Sequence, residues 1–170
     1  DGPTIVRFPK GKVGKDIPAI ERRGNVDVLR RPEHSEGADT EESRLNVLMV
    51  AIGTFAAPAC EAAAQLAEEG IELTVVDPRW VIPVAAELVD MAADADLVVV
   101  YEDGLLRGGV GSAVAEALHA AGVDTPLRQL AFPSVFPQHA SRDEVLAEYG
   151  LDAASATDQV RQWALELADR

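Results

Sequence analysis

The sequence predicts an α/β fold in which a mostly parallel sheet of about five strands lies between two layers of helices. Two observations lead to this prediction. Residues 46–53 form a continuous apolar run, which is typical of a strand buried on both faces, and residues 71–76 are predicted to form a second buried strand. These predicted strands alternate with segments of helical character, and such alternation is typical of a parallel sheet covered by helices. The class is therefore a three-layer α/β/α domain.

The elements after residue 45 follow one another in a regular order. Thr54 is predicted to cap the first helix and Gly70 to end it. Ser141, with Glu144 three residues later, predicts a helix that begins with a capping box. The predicted strands are 46–53, 71–76, 96–101 and 126–132, and the predicted helices are 55–70, 84–93, 111–121, 141–149 and 158–168.

The residues before 46 are organised differently. Residues 4–8 form a short β-branched run with no partner nearby, so we expect a last edge strand of a sheet outside this chain. Residues 10–45 are polar and rich in charge, and only 26–29 suggest a strand. The sequence therefore predicts a last segment of a preceding domain at 1–9, a linker with a mobile acidic loop at 10–45, and the main domain at 46–170. A chain that begins Asp1-Gly2 without methionine is expected to be part of a longer protein.

Composition excludes several classes of function. The formal net charge of -14 over 170 residues disfavours nucleic-acid binding, which depends on clustered Lys and Arg. The single cysteine, Cys60, cannot form a disulfide within the chain and is expected to pack as a small hydrophobic residue. No apolar run approaches the roughly 20 residues that span a bilayer, and no leader segment opens the chain. We therefore expect a cytoplasmic protein without membrane contact.

Arg79 is the first candidate for a functional residue. It lies just after the predicted strand 71–76, separated from it by Asp77 and Pro78, and ligands of open parallel sheets bind at the carboxyl ends of the strands. A guanidinium there suits a phosphate or a carboxylate. Pro78 and Pro83 bracket it and are expected to stiffen the turn. The alternative is that Arg79 forms a salt bridge to Asp77 or to a carboxylate of the linker.

Other loops at the same edge carry weaker signals. Gly53-Thr54-Phe55 enters a helix, and either an anion or a simple cap explains it. The glycine-rich loop 102–112 suits a phosphate cradle or close approach of a neighbouring subunit, but its spacing departs from G-x-G-x-x-G. His139 stands alone, without the partner that a catalytic pair requires. No complete active site is recognisable in the chain.

Four motifs together resemble a known family. They are IVRFPKG at 5–11, VVDPRWVIP at 75–83, the segment 100–112, and SRDEVLAEYGL at 141–151. They are similar to the third domain of the 1-deoxy-D-xylulose-5-phosphate synthases, over nearly the whole chain except 32–44. Transketolases and the beta subunits of 2-oxo acid dehydrogenases share this fold and remain an alternative. A non-catalytic α/β binding module is the third possibility.

The resemblance implies an enzyme that uses thiamine diphosphate and Mg²⁺, decarboxylates pyruvate and joins the two-carbon unit to glyceraldehyde 3-phosphate, which starts the non-mevalonate isoprenoid route. It implies that the N-terminal and pyrimidine-binding domains hold the cofactor, so that this chain carries no catalytic, cofactor or metal residue. It further implies that the third domain packs on the pyrimidine-binding domain and strengthens a homodimer. By motif match, Arg7 and Arg79 hold the phosphate of the aldehyde. Lys10, where the family often has arginine, is left outside this site.

Overall fold

A six-stranded sheet organises the chain, with helices on both faces. A computed structural model describes residues 2–6, 14–32 and 45–169. The strands are β1 (Glu21–Arg23), β2 (Val26–Arg30), β3 (Asn46–Ala51), β4 (Glu72–Asp77), β5 (Leu97–Leu105) and β6 (Leu127–Phe132). The helices are α1 (Ala56–Ala67), α2 (Ala86–Ala93), α3 (Val110–Ala121), α4 (Arg142–Glu148) and α5 (Ala153–Ala168), and a 3-10 turn at Gly53–Phe55 precedes α1.

The sheet has the strand order β1-β2-β4-β3-β5-β6. The four strands from β3 to β6 pair in parallel, which confirms the predicted α/β class. The six strands agree with the expected number of about five, and the additional strand is β1, which is charged, largely exposed and without an apolar pattern. A two-residue turn at Gly24 and Asn25, with Gly24 at φ 53°, joins β1 to β2 as an antiparallel hairpin.

Strand β2 connects this hairpin to the main sheet. It pairs antiparallel with β4, and its Val26 and Val28 are fully buried. Two strands therefore come from the region predicted as a linker. Residues 4–6 form no strand, and Ile5 and Val6 are exposed. Phe8 and the acidic loop at 34–43 lie outside the described residues.

The core has two halves, one on each face of the sheet. Alternate residues of a strand point to opposite faces, so Val47 and Met49 of β3 join the half that α1 and α5 cover, whereas Leu48 and Val50 join the half that α2 and α3 cover. Both sets are buried, with at most 2% of their surface exposed. This explains the uninterrupted apolar runs in the sequence.

Two of the predicted helix signals are confirmed and one is wrong. Ser141 and Glu144 form the complete capping box of α4, and Gly70 follows α1 at φ 80°. Thr54 does not cap α1, because the chain enters that helix through the 3-10 turn without a side-chain cap. Helix α5 starts five residues before its predicted start, since Asp152 accepts a hydrogen bond from the backbone N–H of Ser155 at 3.1 Å.

Cys60 lies on α1 and is half-buried against the core half that contains α1 and α5. Burial raises the pKa of its thiol. The side chain thus packs as expected for a small hydrophobic residue, although part of it reaches the surface. Within the described ranges, no helix is long and apolar enough to cross a bilayer.

Candidate anion-binding site

The topology places several loops together at the carboxyl edge of the sheet. The chain runs from β3 to β4 on one side and then to β5 on the other, so the strand order reverses between β3 and β5. In open α/β sheets, ligands bind outside the carboxyl ends of the strands near such a point. The loop after β4, which contains Arg79, lies at this edge.

The backbone of Arg79 adopts an unusual conformation. Its φ is 58°, and it is the one non-glycine residue with positive φ among the described residues. The carboxylate of Asp77 accepts a hydrogen bond from the Arg79 N–H at 2.7 Å, and the Trp80 N–H donates to the carbonyl of Pro78 at 2.5 Å. Two hydrogen bonds therefore hold the turn in a conformation that costs an ordinary residue about 1–2 kcal/mol.

The side chain of Arg79 is partly exposed and faces a carboxylate of β2. About 42% of the side chain is accessible, and its Nε lies 3.6 Å from Oδ2 of Asp27. This distance exceeds the 2.7–2.9 Å of a charge-assisted hydrogen bond. Of the two predicted salt-bridge partners, Asp77 bonds the backbone and Asp27, from the predicted linker, faces the guanidinium.

Asp27 has a closer partner in Arg22 of β1. The Nε of Arg22 donates to Oδ1 at 2.5 Å and its Nη2 donates to Oδ2 at 3.2 Å. The hydrogen bond from Arg22 lowers the pKa of Asp27 and outweighs the opposing effect of burial, while the charge of Arg79 lowers it further. The three side chains therefore carry one net positive charge, and the sequence pattern gave no role to Arg22 or Asp27.

The glycine-rich loop contains an anion that belongs to the chain itself. Glu102, near the end of β5, is 2% exposed. Its Oε2 accepts the N–H of Val110 at 2.8 Å, and its Oε1 accepts the N–H of Gly111 at 2.7 Å. A Cβ at Gly104 or Gly109 would lie 2.2 or 2.6 Å from Oε2. The glycines thus make room for the Glu102 carboxylate at the start of α3, where a phosphate cradle would hold its ligand.

A cleft of about 1460 Å³ opens beside this loop at the carboxyl ends of β3 and β5. Its charged lining residues are Asp16, Glu102, Asp103 and Glu116, opposed by Lys15. This acidic lining disfavours an anionic ligand. The cleft therefore differs in charge from the position of Arg79, which is basic.

The described residues do not fit a thiamine diphosphate and Mg²⁺ site. Residues 2–6, 14–32 and 45–169 contain no group of three or more His, Cys, Asp or Glu that could hold a metal ion. The α3 amide groups that could meet a diphosphate are bound to Glu102. Among the other predicted positions, His139 is exposed in the loop before α4, and Arg7 and Lys10 lie outside the described residues.

The fold and the candidate site define an α/β domain with a mostly parallel sheet and an arginine in a fixed turn at the carboxyl edge of that sheet. The chain belongs to the transketolase C-terminal domain family, whose model matches residues 37–155. This match confirms the fold that the sequence motifs implied.

About half of the residues of this chain are identical to those of curated relatives over the aligned region. The chain is 51% identical to 1-deoxy-D-xylulose-5-phosphate synthase from Mycolicibacterium gilvum over 98% of this chain and 25% of that protein. It is 50% identical to the synthase from Rhodococcus jostii over 96% and 24%, and 50% identical to synthase 2 from Kitasatospora griseola over 94% and 25%. The resemblance found in the sequence is thus confirmed, and the chain spans about a quarter of the length of these relatives.

A solved transketolase structure is also among the matches. A transketolase from Campylobacter jejuni matches 85% of this chain and 20% of that chain, with a TM-score of 0.47 and 12% identity. The family assignment rests on the family model and not on this likeness.

Proposed function

We propose that this chain is the C-terminal part of a thiamine-diphosphate-dependent synthase. The whole protein would decarboxylate pyruvate and condense the two-carbon unit with glyceraldehyde 3-phosphate to form 1-deoxy-D-xylulose 5-phosphate. The support is the identity of about half of the residues to synthases over almost the entire chain. Thiamine diphosphate and Mg²⁺ would be bound by the N-terminal and pyrimidine-binding domains of the same protein, outside this chain.

The role that we propose for this chain is to bind the phosphate of the aldehyde. The observation that carries this role is Arg79, which lies at the carboxyl end of β4 in a turn fixed by two hydrogen bonds. A phosphate dianion is bound well by two guanidiniums, each of which can donate paired charge-assisted bonds. Arg7, which lies outside the described residues, is proposed as the second guanidinium because of the motif match.

Binding of the aldehyde's phosphate would promote the reaction by holding the aldehyde in the right position. The cofactor supplies the electron sink when it is bound. Arg79 would fix one end of the aldehyde, so that its carbonyl carbon stays in reach of the two-carbon nucleophile. Fixing a reactant in this way contributes to the rate when the geometry is accurate. An aldehyde without a phosphate would gain nothing from Arg79.

We further propose that the carboxyl edge of the sheet packs against the preceding domains and within a homodimer. Large apolar side chains at the carboxyl ends of three parallel strands and in the loops after them are 42–99% exposed in this chain; they are Trp80, Ile82, Leu105, Leu106, Val135 and Phe136. Apolar groups gathered at one edge are typical of a surface that another domain or subunit covers. The same edge carries Arg79, so the covering part would also approach the phosphate.

The phosphate role can be tested in the full-length synthase that carries this chain. We expect Arg79→Gln to raise KM for glyceraldehyde 3-phosphate at least about tenfold, because a charged hydrogen bond worth roughly 1.5–3 kcal/mol is lost. KM for pyruvate should stay unchanged. Arg23→Gln is the matched control, since it removes an exposed arginine that pairs with Glu21 at 2.8 Å. An unchanged KM for the phosphorylated aldehyde would contradict the role of Arg79.

A further inference from the structure

We infer that Asp27 is a positioning residue for Arg79, so that the strand β2 is part of the anion-binding site. This inference rests on the proposed phosphate role of Arg79 and goes beyond it. Asp27 lies on β2, and its Oδ2 faces the Nε of Arg79 at 3.6 Å. The side chain of Asp27 is only 16% exposed, so its carboxylate has little freedom to move away.

The strand register explains how Asp27 reaches Arg79. In the antiparallel pairing of β2 with β4, Asp27 lies directly opposite Asp77. Asp77 is two residues before Arg79 and accepts its backbone N–H at 2.7 Å. Two neighbouring carboxylates therefore act on different parts of one residue: Asp77 fixes the backbone, and Asp27 faces the base of the guanidinium.

The side of the guanidinium that Asp27 faces decides which N–H groups of Arg79 are left for a phosphate. Nε is the nitrogen closest to the aliphatic stem, and contact there leaves both Nη groups on the outer side. In the part of the chain that the structure describes, neither Nη of Arg79 has a hydrogen-bond partner. The outer pair of N–H groups can thus take a phosphate in the bidentate geometry that arginine favours.

Arg22 offsets the charge of the Asp27 carboxylate, so that Asp27 can lie beside a site that binds an anion. An isolated Asp27 would cancel the charge of Arg79 and repel a phosphate. The paired bonds from Arg22 to Asp27, at 2.5 and 3.2 Å, offset the carboxylate charge. Asp27 can therefore orient Arg79 without leaving an uncompensated carboxylate beside the guanidinium, because Arg22, Asp27 and Arg79 together keep one positive charge and Asp77 is bonded to the backbone.

Positioning and simple charge predict opposite effects when Asp27 is neutralised. If Asp27 acts only through its charge, Asp27→Asn makes the site more positive and lowers KM for the phosphorylated aldehyde. If Asp27 orients Arg79, the same change lets the guanidinium leave its position and raises that KM. The sign of the change therefore separates the two roles.

The experiment uses the full-length synthase with Asp27→Asn and, as a matched control, Glu21→Gln. Glu21 is a carboxylate on the adjacent strand that pairs with Arg23 and Arg31 at 2.8 and 2.6 Å. KM and kcat are measured with glyceraldehyde 3-phosphate and with unphosphorylated glyceraldehyde. We expect Asp27→Asn to raise KM for the phosphorylated aldehyde about three- to fivefold, as for the loss of an exposed ion pair. Its kcat and its KM for glyceraldehyde should not change, and Glu21→Gln should change neither KM.

The outcomes separate this inference from the proposed function. A lower or unchanged KM in Asp27→Asn, with a raised KM in Arg79→Gln, overturns the inference and leaves the phosphate role of Arg79 intact. An equal rise for both aldehydes overturns it as well, because a general structural defect would act without regard to the phosphate. An unchanged KM in Arg79→Gln removes the phosphate role and the inference together.

Discussion

Arg79 shows how far a single residue could be understood from the sequence. Its place after an apolar run and between prolines predicted a held cation at a strand end. The approach of Asp27 could not be predicted, because it depends on the register of a strand some 45 residues earlier in the chain. A signal for that strand was nevertheless present: Gly24-Asn25 separates two short runs, as in a two-residue hairpin turn.

The strained backbone of Arg79 leads to a stability prediction. We expect Arg79→Gly to be about 1 kcal/mol more stable than Arg79→Ala, because both lose the guanidinium but only alanine keeps a Cβ in the left-handed region at φ 58°. Urea denaturation of the two variants gives the difference. Equal midpoints and equal slopes would show that the turn relaxes and that no strain is stored there.

At the scale of elements, the sequence predicted a helix boundary correctly where all the residues that form the cap lie close together in the chain. The capping box of α4 was predicted because Ser141 and Glu144 are both within one turn. The prediction of a cap at Thr54 was wrong because the partner of Thr54 is distant in the sequence. The Thr54 hydroxyl accepts a hydrogen bond from Nη2 of Arg142, at 3.3 Å, and does not cap α1. The glycine-rich loop was predicted to hold a phosphate or to lie close to a neighbouring subunit, and the burial of Glu102 within it was not foreseen.

Because Glu102 packs against only some of the loop's glycines, replacing different glycines by alanine should change the stability by different amounts. We expect Gly109→Ala to lower the free energy of unfolding by about 2 kcal/mol or more, because its Cβ would lie 2.3 Å from the carbonyl oxygen of Leu105 and 2.6 Å from Oε2 of Glu102. Gly108→Ala is the control, since it has φ 80° but no atom within 4 Å of the new Cβ. The control should lose only about 1 kcal/mol from backbone strain. Equal losses in chemical denaturation would contradict the close packing of Glu102.

At the scale of the whole molecule, the four parallel strands were predictable and the extent of the sheet was not. A strand that is buried on both faces can be recognised in the sequence by its apolar run. The hairpin of β1 and β2 is short and charged, and Asp27 separates its two buried valines, so it has no such run. The chain before residue 46 therefore looked like a linker, although Val26 and Val28 belong to the same core half as Val76 and Leu88.

This arrangement predicts the effect of a truncation. A chain of residues 45–170 should be less stable than one of 14–170 by roughly 3–6 kcal/mol, because burying a valine stabilises by about 1.5–3 kcal/mol and two are lost. Removing β2 also leaves an edge of β4 unpaired. Denaturation curves of the two chains measure the difference. Coincident curves would place the hairpin outside the cooperative unit.

The carboxylate of Glu102 also has a consequence for molecules in the surrounding solution. It is tethered nine residues from the N–H of Gly111 that it binds, so its effective concentration at the start of α3 is set by the chain and not by the solution; for short tethers it is on the order of millimolar or higher. A free phosphate has to compete with a ligand that never diffuses away. The amide groups of Val110 and Gly111 at the start of α3 are therefore already occupied by the carboxylate of Glu102, a residue of β5 itself.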